Sequence, residues 1–402
     1  MTKEKNQNES RELTNYSYMK DNVYVQHVLN QLSNNNPVKD IQCVITYTPS
    51  MYPYIEISKT STVLVWDEHF FNLFDIYIQI MMSDEKYDDK VRLMQNLSLL
   101  MLSHKFDSIP SLSYAFAIIY DYQNRVDMEF GRKNLGYYDG LLQQLKLTDF
   151  QLDISVYSRI FVLYHEMRHY SYEKNLQKNN EQALRYLIKI RHQIYSILNP
   201  FNMPIYAGDP AHAYVINEIN YMIGNEDYHV IEEFACDLFA CFDLIELLTR
   251  DHKRKIADEV KFAYQIASTV SRFLSDSMVF FDLWEDIYSN RNNGNYRKYV
   301  DNAFSFYKRD REDITIDQSS VNYHFRNKLL YYCLYHHYND DQNFVFIHDL
   351  FSTNQQMLLV NGQNMIIDGC RTEMLLAVEQ ENRDNFTPQQ CRAEKDKLLH
   401  WY

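Results

Sequence analysis

"VLYHEMRHYSYE", Val162 to Glu173, sets two histidines four residues apart with a glutamate directly after the first. Each residue of an α-helix advances about 100°, so His165 and His169 fall about 40° apart on one face. Glu166 borders that face. Ile160, Leu163, Met167 and Tyr170 recur at helical spacing on the opposite side, as a core-facing stripe should. The helix therefore has one wall for packing and another for two imidazoles. A metal ion needs that arrangement: two neutral ring nitrogens about 2.0–2.1 Å from one centre, held by a rigid element. Arg168 puts a cation inside the motif, beside the metal face, where it can pair with a carboxylate or with substrate.

A catalytic ion also needs a third protein ligand and one open position. Asp209, His212, Glu218, Glu226, His229, Glu232, Glu233 and Asp237 are the downstream candidates. The stretch "YHVIEEFACDLFACFDLIELL" serves best, because Ile231, Phe234, Leu238, Phe242 and Ile245 form one apolar stripe. Glu233 and Asp237 share a different face, one turn apart, flanked by the small residues Cys236 and Ala240. Small side chains let this helix approach the first closely enough for a carboxylate to reach the ion. Glu233 is the preferred third ligand, and Asp237 can support the free N–H of a ligating histidine. Glu232 points about 100° away and is expected off the site.

Glu166 cannot comfortably ligate the same ion but can reach a water as general base. An oxyanion donor is also required, with Tyr228, His229, Tyr221 and the C-terminal His336 and His337 as candidates. Cys236 and Cys241 lie among carboxylates, a field that raises a thiol's pKa and argues against a cysteine nucleophile.

The rest of the 402-residue chain frames this motif. Its net charge of −14 argues against a nucleic-acid surface, since phosphate backbones need clustered Lys and Arg. The six cysteines are scattered without a CxxC pair, a pattern of reduced thiols in a cytosolic protein. The start, "MTKEKNQNESRELTN", lacks an apolar leader. No run approaches the ~18–20 apolar residues that span a bilayer. A cytoplasmic protein with no membrane and no nucleic-acid partner is expected. Oligomeric state stays open.

The predicted fold class is α+β and predominantly helical. Residues 1–37 read as a polar arm, and 38–150 as β-like runs followed by helices. Residues 151–250 hold the metal-binding core, and 251–402 form a mostly helical C-terminal region. The β-like runs are "IQCVITYT" and "YIEISKTSTVLVW". Helices are expected from Asp67, its N-cap, and at 87–103, 110–121, 138–148 and 255–290. A charged break at "YKRDREDITIDQSS" precedes a helix around "RNKLLYYCLYHHY". The stretch "MLLVNGQNMIID" reads as a β-hairpin turning at Asn361-Gly362.

"HEMRH", followed some sixty residues later by "EEFACDLFA", resembles the gluzincin pattern of HExxH with a later ExxxD. More narrowly it is similar to the bacterial intracellular Lit-type peptidases of phage exclusion and the IrrE-type peptidases, over about residues 40–245. In those families a β-hairpin and helices also precede the HExxH helix. The resemblance implies a zincin core, one catalytic Zn2+, and hydrolysis of a protein or peptide substrate, in stress regulation or phage defence. It assigns His165, His169 and Glu233 as ligands, Glu166 as general base and Asp237 as the acid behind a ligand. Two other readings compete. One is a non-catalytic regulatory or binding protein on a zincin-like fold; the other is a zinc hydrolase of a non-peptide substrate.

Overall fold

The computed structural model describes residues 41–46, 52–142, 147–197, 228–252, 256–292, 294–313 and 350–369. It also describes residues 217, 219–221, 223–224, 326–327, 329–331, 333–334, 337–338, 371–372, 390 and 393. The protein is predominantly helical, with one small sheet near its N-terminal side. The proposed arm at 1–37 lies outside the described residues.

Three strands form the sheet: β1 (Ile41–Thr46), β2 (Tyr54–Ile57) and β3 (Thr62–Asp67), in the order β1-β3-β2. The second β-like run is itself a hairpin. Ser58 turns it: its backbone N–H donates to the Ser61 carbonyl at 2.9 Å, and its hydroxyl to the same oxygen at 2.8 Å. β2 therefore pairs antiparallel with β3, whereas β1 joins the far side of β3 in parallel. The two runs do not form a hairpin with each other. Parallel neighbours cannot be joined by a tight turn, and in sequence β2 lies between β1 and β3.

Asp67 ends β3 and caps α1 (Glu68–Met82), accepting from the backbone N–H groups of His69 at 2.9 Å and Phe70 at 3.2 Å. These bonds satisfy donors that a helix start leaves orphaned. Next come α2 (Tyr87–Lys105), α3 (Pro110–Val126) and α4 (Met128–Leu142). The last begins ten residues before the expected 138–148 helix. Asp127 starts it by accepting from the Phe130 N–H at 3.0 Å, and residues 147–148 are not helical. Then follow α5 (Asp149–Glu173), α6 (Leu176–Ile197), α7 (Tyr228–His252), α8 (Ile256–Ser289) and α9 (Tyr296–Asp313). α9 carries the first seven residues of the expected charged break. Every described residue from 326 to 338 is helical.

The expected C-terminal hairpin is instead a helix, α10 (Leu358–Gly369). Asn-Gly is a strong local turn signal, but here Gly362 meets the backbone of α2. A Cβ at that position would lie 2.5 Å from the Gln95 amide nitrogen and 2.7 Å from the Met94 carbonyl carbon. Glycine serves close helix approach rather than a bend.

One core runs through all these helices. α8 is its axis. Phe273 packs on Phe70, Phe74 and Tyr77 of α1, with ring centroids 5.7, 5.5 and 5.0 Å away. Further along, Trp284 meets Phe116 of α3 and Phe304 of α9 edge-on. Each fully buried aromatic contributes about 1.5–3 kcal/mol by leaving water. The inner face of this helix is regular: Val260, Ala263, Ala267 and Val270 are buried, and Leu274 and Met278 pack partly against the core. Among the described residues, no helix is long and apolar enough to cross a membrane.

Candidate metal centre

Thr148 and Gln151 start α5 with reciprocal caps. The Thr148 hydroxyl accepts from the Gln151 N–H, and the Gln151 side chain from the Thr148 N–H. That is a capping box. From there the helix runs unbroken to Glu173, with Ile160, Leu163, Met167 and Tyr170 all buried. α7 packs against it over a broad contact. Its stripe of Ile231, Phe234, Leu238 and Ile245 is buried, and Phe242 is partly so. Cys236 and Ala240, both fully buried, occupy the space between. A second clamp joins the helices at their exposed side. Arg168 grips Asp243 through Nε at 2.8 Å and Nη2 at 2.5 and 2.6 Å, with its guanidinium over Phe239. Of the two roles open to Arg168, the structure shows pairing with a carboxylate.

Between these helices His165, His169 and Glu233 converge. The two Nε2 atoms stand 3.1 Å apart. Glu233 places one oxygen 3.5 Å from His165 Nε2 and the other 3.4 Å from His169 Nε2. Bonds of about 2.0–2.1 Å at a tetrahedral angle put ligand atoms about 3.3 Å apart. Two imidazoles and one carboxylate at this spacing fit a zinc ion.

Carboxylates face the outer nitrogens of both rings. Asp237 Oδ1 lies 2.9 Å from His165 Nδ1, within ion-pair distance. Glu232 Oε1 lies 2.8 Å from His169 Nδ1. An ideal helical wheel turns Glu232 away, but its long side chain reaches back. With a proton on each Nδ1, each Nε2 presents its lone pair to the centre. A second grouping, His169 with Glu232 and Cys236, is also close enough to consider. It would use the nitrogen that Glu232 already holds. It would also need the Cys236 thiolate, whose pKa is driven well above the ordinary value by burial and then by Glu233, Glu232, Asp237 and Glu166. The first grouping is the better ligand set.

Arg326, 6 % exposed, was not foreseen. Its Nη1 lies 2.8 Å from Glu233 Oε2, and its Nε donates to Asp237 Oδ2 at 2.6 Å. Burial opposes ionisation of both acids, but Arg326, and then His165, hold Glu233 well below the usual carboxylate range and Asp237 below it. For His165, burial opposes a charge, yet the hydrogen bonds to Asp237 and Glu233 outweigh it and push the ring up to about 10. Ligation requires a neutral ring, so a metal ion bound here would have to displace that proton.

A cavity of about 660 Å³ opens onto the centre. One wall is polar, with the ligands, Glu166 and Arg326; another is apolar, with Phe70 of α1 and Val270, Leu274 and Met278 of α8. The third is β2, together with Tyr52 and Pro53 before it. Glu166 faces this space. Burial raises its pKa, against the pull of His165 and His169, and the Ile55 N–H near it also favours its ionised form. Since β2 is an edge strand and Ile55 points its amide away from β3, Ile57 directs its own N–H and C=O the same way.

Of the oxyanion candidates, Tyr221 and His337 are described, and neither reaches this centre. Tyr221 is exposed and does not line the cavity, and His337 packs against Phe242 and Tyr338 beside a different hollow. The side chains of Tyr228 and His229, and all of Asp209, His212, Glu218, Glu226 and His336, lie outside the described residues. Cys241, like Cys236, is fully buried with its thiol pKa raised, first by burial. No family model, curated protein or solved structure matches this chain.

Proposed function

We propose that the protein is a zinc-dependent endopeptidase acting on protein substrates inside the cell. One observation carries this reading: two Nε2 atoms and a carboxylate at tetrahedral ligand spacing, with a glutamate beside them and a free strand edge along the same cavity. His165, His169 and Glu233 would hold the ion. Zinc supplies Lewis acidity there, polarising a carbonyl and bringing a water's pKa down towards ~7.

The remaining work falls to the chain's own groups. An extended peptide can lie along β2, using the outward N–H and C=O of Ile57 as a further strand would. That binding fixes the backbone rather than one side chain, and it favours peptides over other hydrolysable substrates. Glu166 takes the proton of the attacking water as the new C–O bond forms, and passes it to the nitrogen as the C–N bond breaks. Its raised pKa suits both halves of that transfer, because the protonated form is within reach. Asp237 and Glu232 keep the two imidazoles oriented, and Arg326 balances the acids behind them.

Metal analysis by mass spectrometry tests the reading. The wild type should carry one zinc per chain, and His165→Ala and Glu233→Ala should lose it. Glu166→Gln should keep the metal and cut labelled casein at least about 10²-fold more slowly. A wild type without stoichiometric metal would sink the site; an active Glu166→Gln would remove the base from its role.

A further inference from the structure

Hydrolysis at this site drives negative charge onto the carbonyl oxygen, and a donor on the cavity wall steadies that charge. Arg326 turns Nη1 to Glu233 and Nε to Asp237. Asp237 and Glu232 stand behind the rings, and Glu166 is occupied with the proton. The wall of α1 and α8 contributes Phe70, Val270, Leu274 and Met278, none of which donates from its side chain, and the hydroxyl of Ser271, which is 4 % exposed.

The wall along β2 is different. Tyr52 lines the cavity together with His165, Glu166 and Glu233, two residues before the strand. Pro53 fixes the chain there, and a residue before proline is held extended. Tyr52 stands at a bend that leads into β2, three positions ahead of Ile55. Its ring leans on Tyr54 at 6.0 Å between centroids. At 36 % exposure it is open to solvent at the cavity mouth.

We propose that Tyr52 donates its hydroxyl proton in a hydrogen bond to the oxyanion formed on the scissile carbonyl, a role that rests on the peptidase reading above. As the water oxygen bonds to the carbonyl carbon, the C=O π pair moves onto oxygen and Glu166 takes the proton. The Tyr52 O–H steadies that charge. When the pair returns, the C–N bond breaks and nitrogen takes the proton from Glu166. Tyr52 is unchanged at the end of the cycle. Its proton is well retained: burial, then the charges of Glu166 and Glu233, raise the phenol's pKa. It therefore remains a donor throughout the neutral range.

The test compares wild type with Tyr52→Phe, each as the full chain with its zinc content measured. Two peptide ligands separate the outcomes by calorimetry. One is a phosphonamidate peptide, whose tetrahedral phosphorus carries an oxygen in place of the oxyanion; the other is a thiol peptide, which has none. Tyr52→Phe should keep its zinc, bind the thiol as tightly as wild type, and lose about tenfold or more in phosphonamidate affinity. On labelled casein its kcat should fall about 10²-fold with KM little changed, the usual cost of one oxyanion donor. Equal phosphonamidate affinity and kcat in a zinc-loaded, casein-cutting wild type and variant would overturn the role of Tyr52 and leave the peptidase reading standing. A wild type that takes up no zinc and binds neither ligand would overturn both.

Discussion

Arg168 sits between the two motif histidines in sequence yet works on another helix. Its guanidinium is committed to Asp243 and Phe239, so it fastens α5 to α7 just outside the ligands. Both partners are partly exposed, at 36 % and 25 % of their side chains, and water screens such pairs. Arg168→Ala should therefore lower stability by only about 1 kcal/mol in urea denaturation. Zinc content and KM should stay as in the wild type. A rise in KM without loss of stability would return Arg168 to substrate recognition. Glu232 makes the complementary point. Glu232 is misjudged by an ideal helical wheel, because a wheel places Cα–Cβ directions and says nothing of where three or four further bonds lead. Asp237, with a short side chain, is judged correctly for the same reason.

At the scale of elements, what the sequence discloses depends on how local the deciding interaction is. The stripes of α5, α7 and α8 are legible because each helix displays its own buried face every three or four residues. Asp67 is legible as a cap for the same local reason. Asn361-Gly362 is not, since its turn chemistry is overruled by α2, more than 260 positions earlier in the chain. Gly362→Ala tests that account. A methyl group there would strike backbone, which cannot swing aside, and α10 would have to lift off α2. The cost should be about 1–3 kcal/mol, typical of overpacking. Were Gly362 merely tolerated in a helix, alanine would instead stabilise by about 1 kcal/mol through propensity. Urea denaturation gives the sign. The parallel placement of β1 was equally hidden: two β-rich runs with a Pro-containing turn look alike whether they pair with each other or with a third strand.

The whole molecule meets at one cavity. β2, α1, α5, α7, α8 and the helical residues near 326 each present side chains to it. Arg326 is the most distant of these, paired with acids 89 and 93 positions away. Nothing local could announce it. Arg326→Met keeps much of the bulk and removes the charge, leaving Glu233 and Asp237 buried without their countercharge. Zinc affinity should fall about 10- to 100-fold in competition with a chelator, as when the support behind metal ligands is lost. Undiminished affinity would show that the acids are balanced by the ion alone. Arg326 also bears on how the chain is made. Synthesis proceeds at about 5–20 residues per second, so Arg326 follows His165 by roughly ten seconds or more. A nascent chain thus holds both histidines and both acids well before it holds the cation that orders them. On the proposed peptidase reading, competence to cut would arrive late in translation, after most of the chain has left the ribosome's active centre.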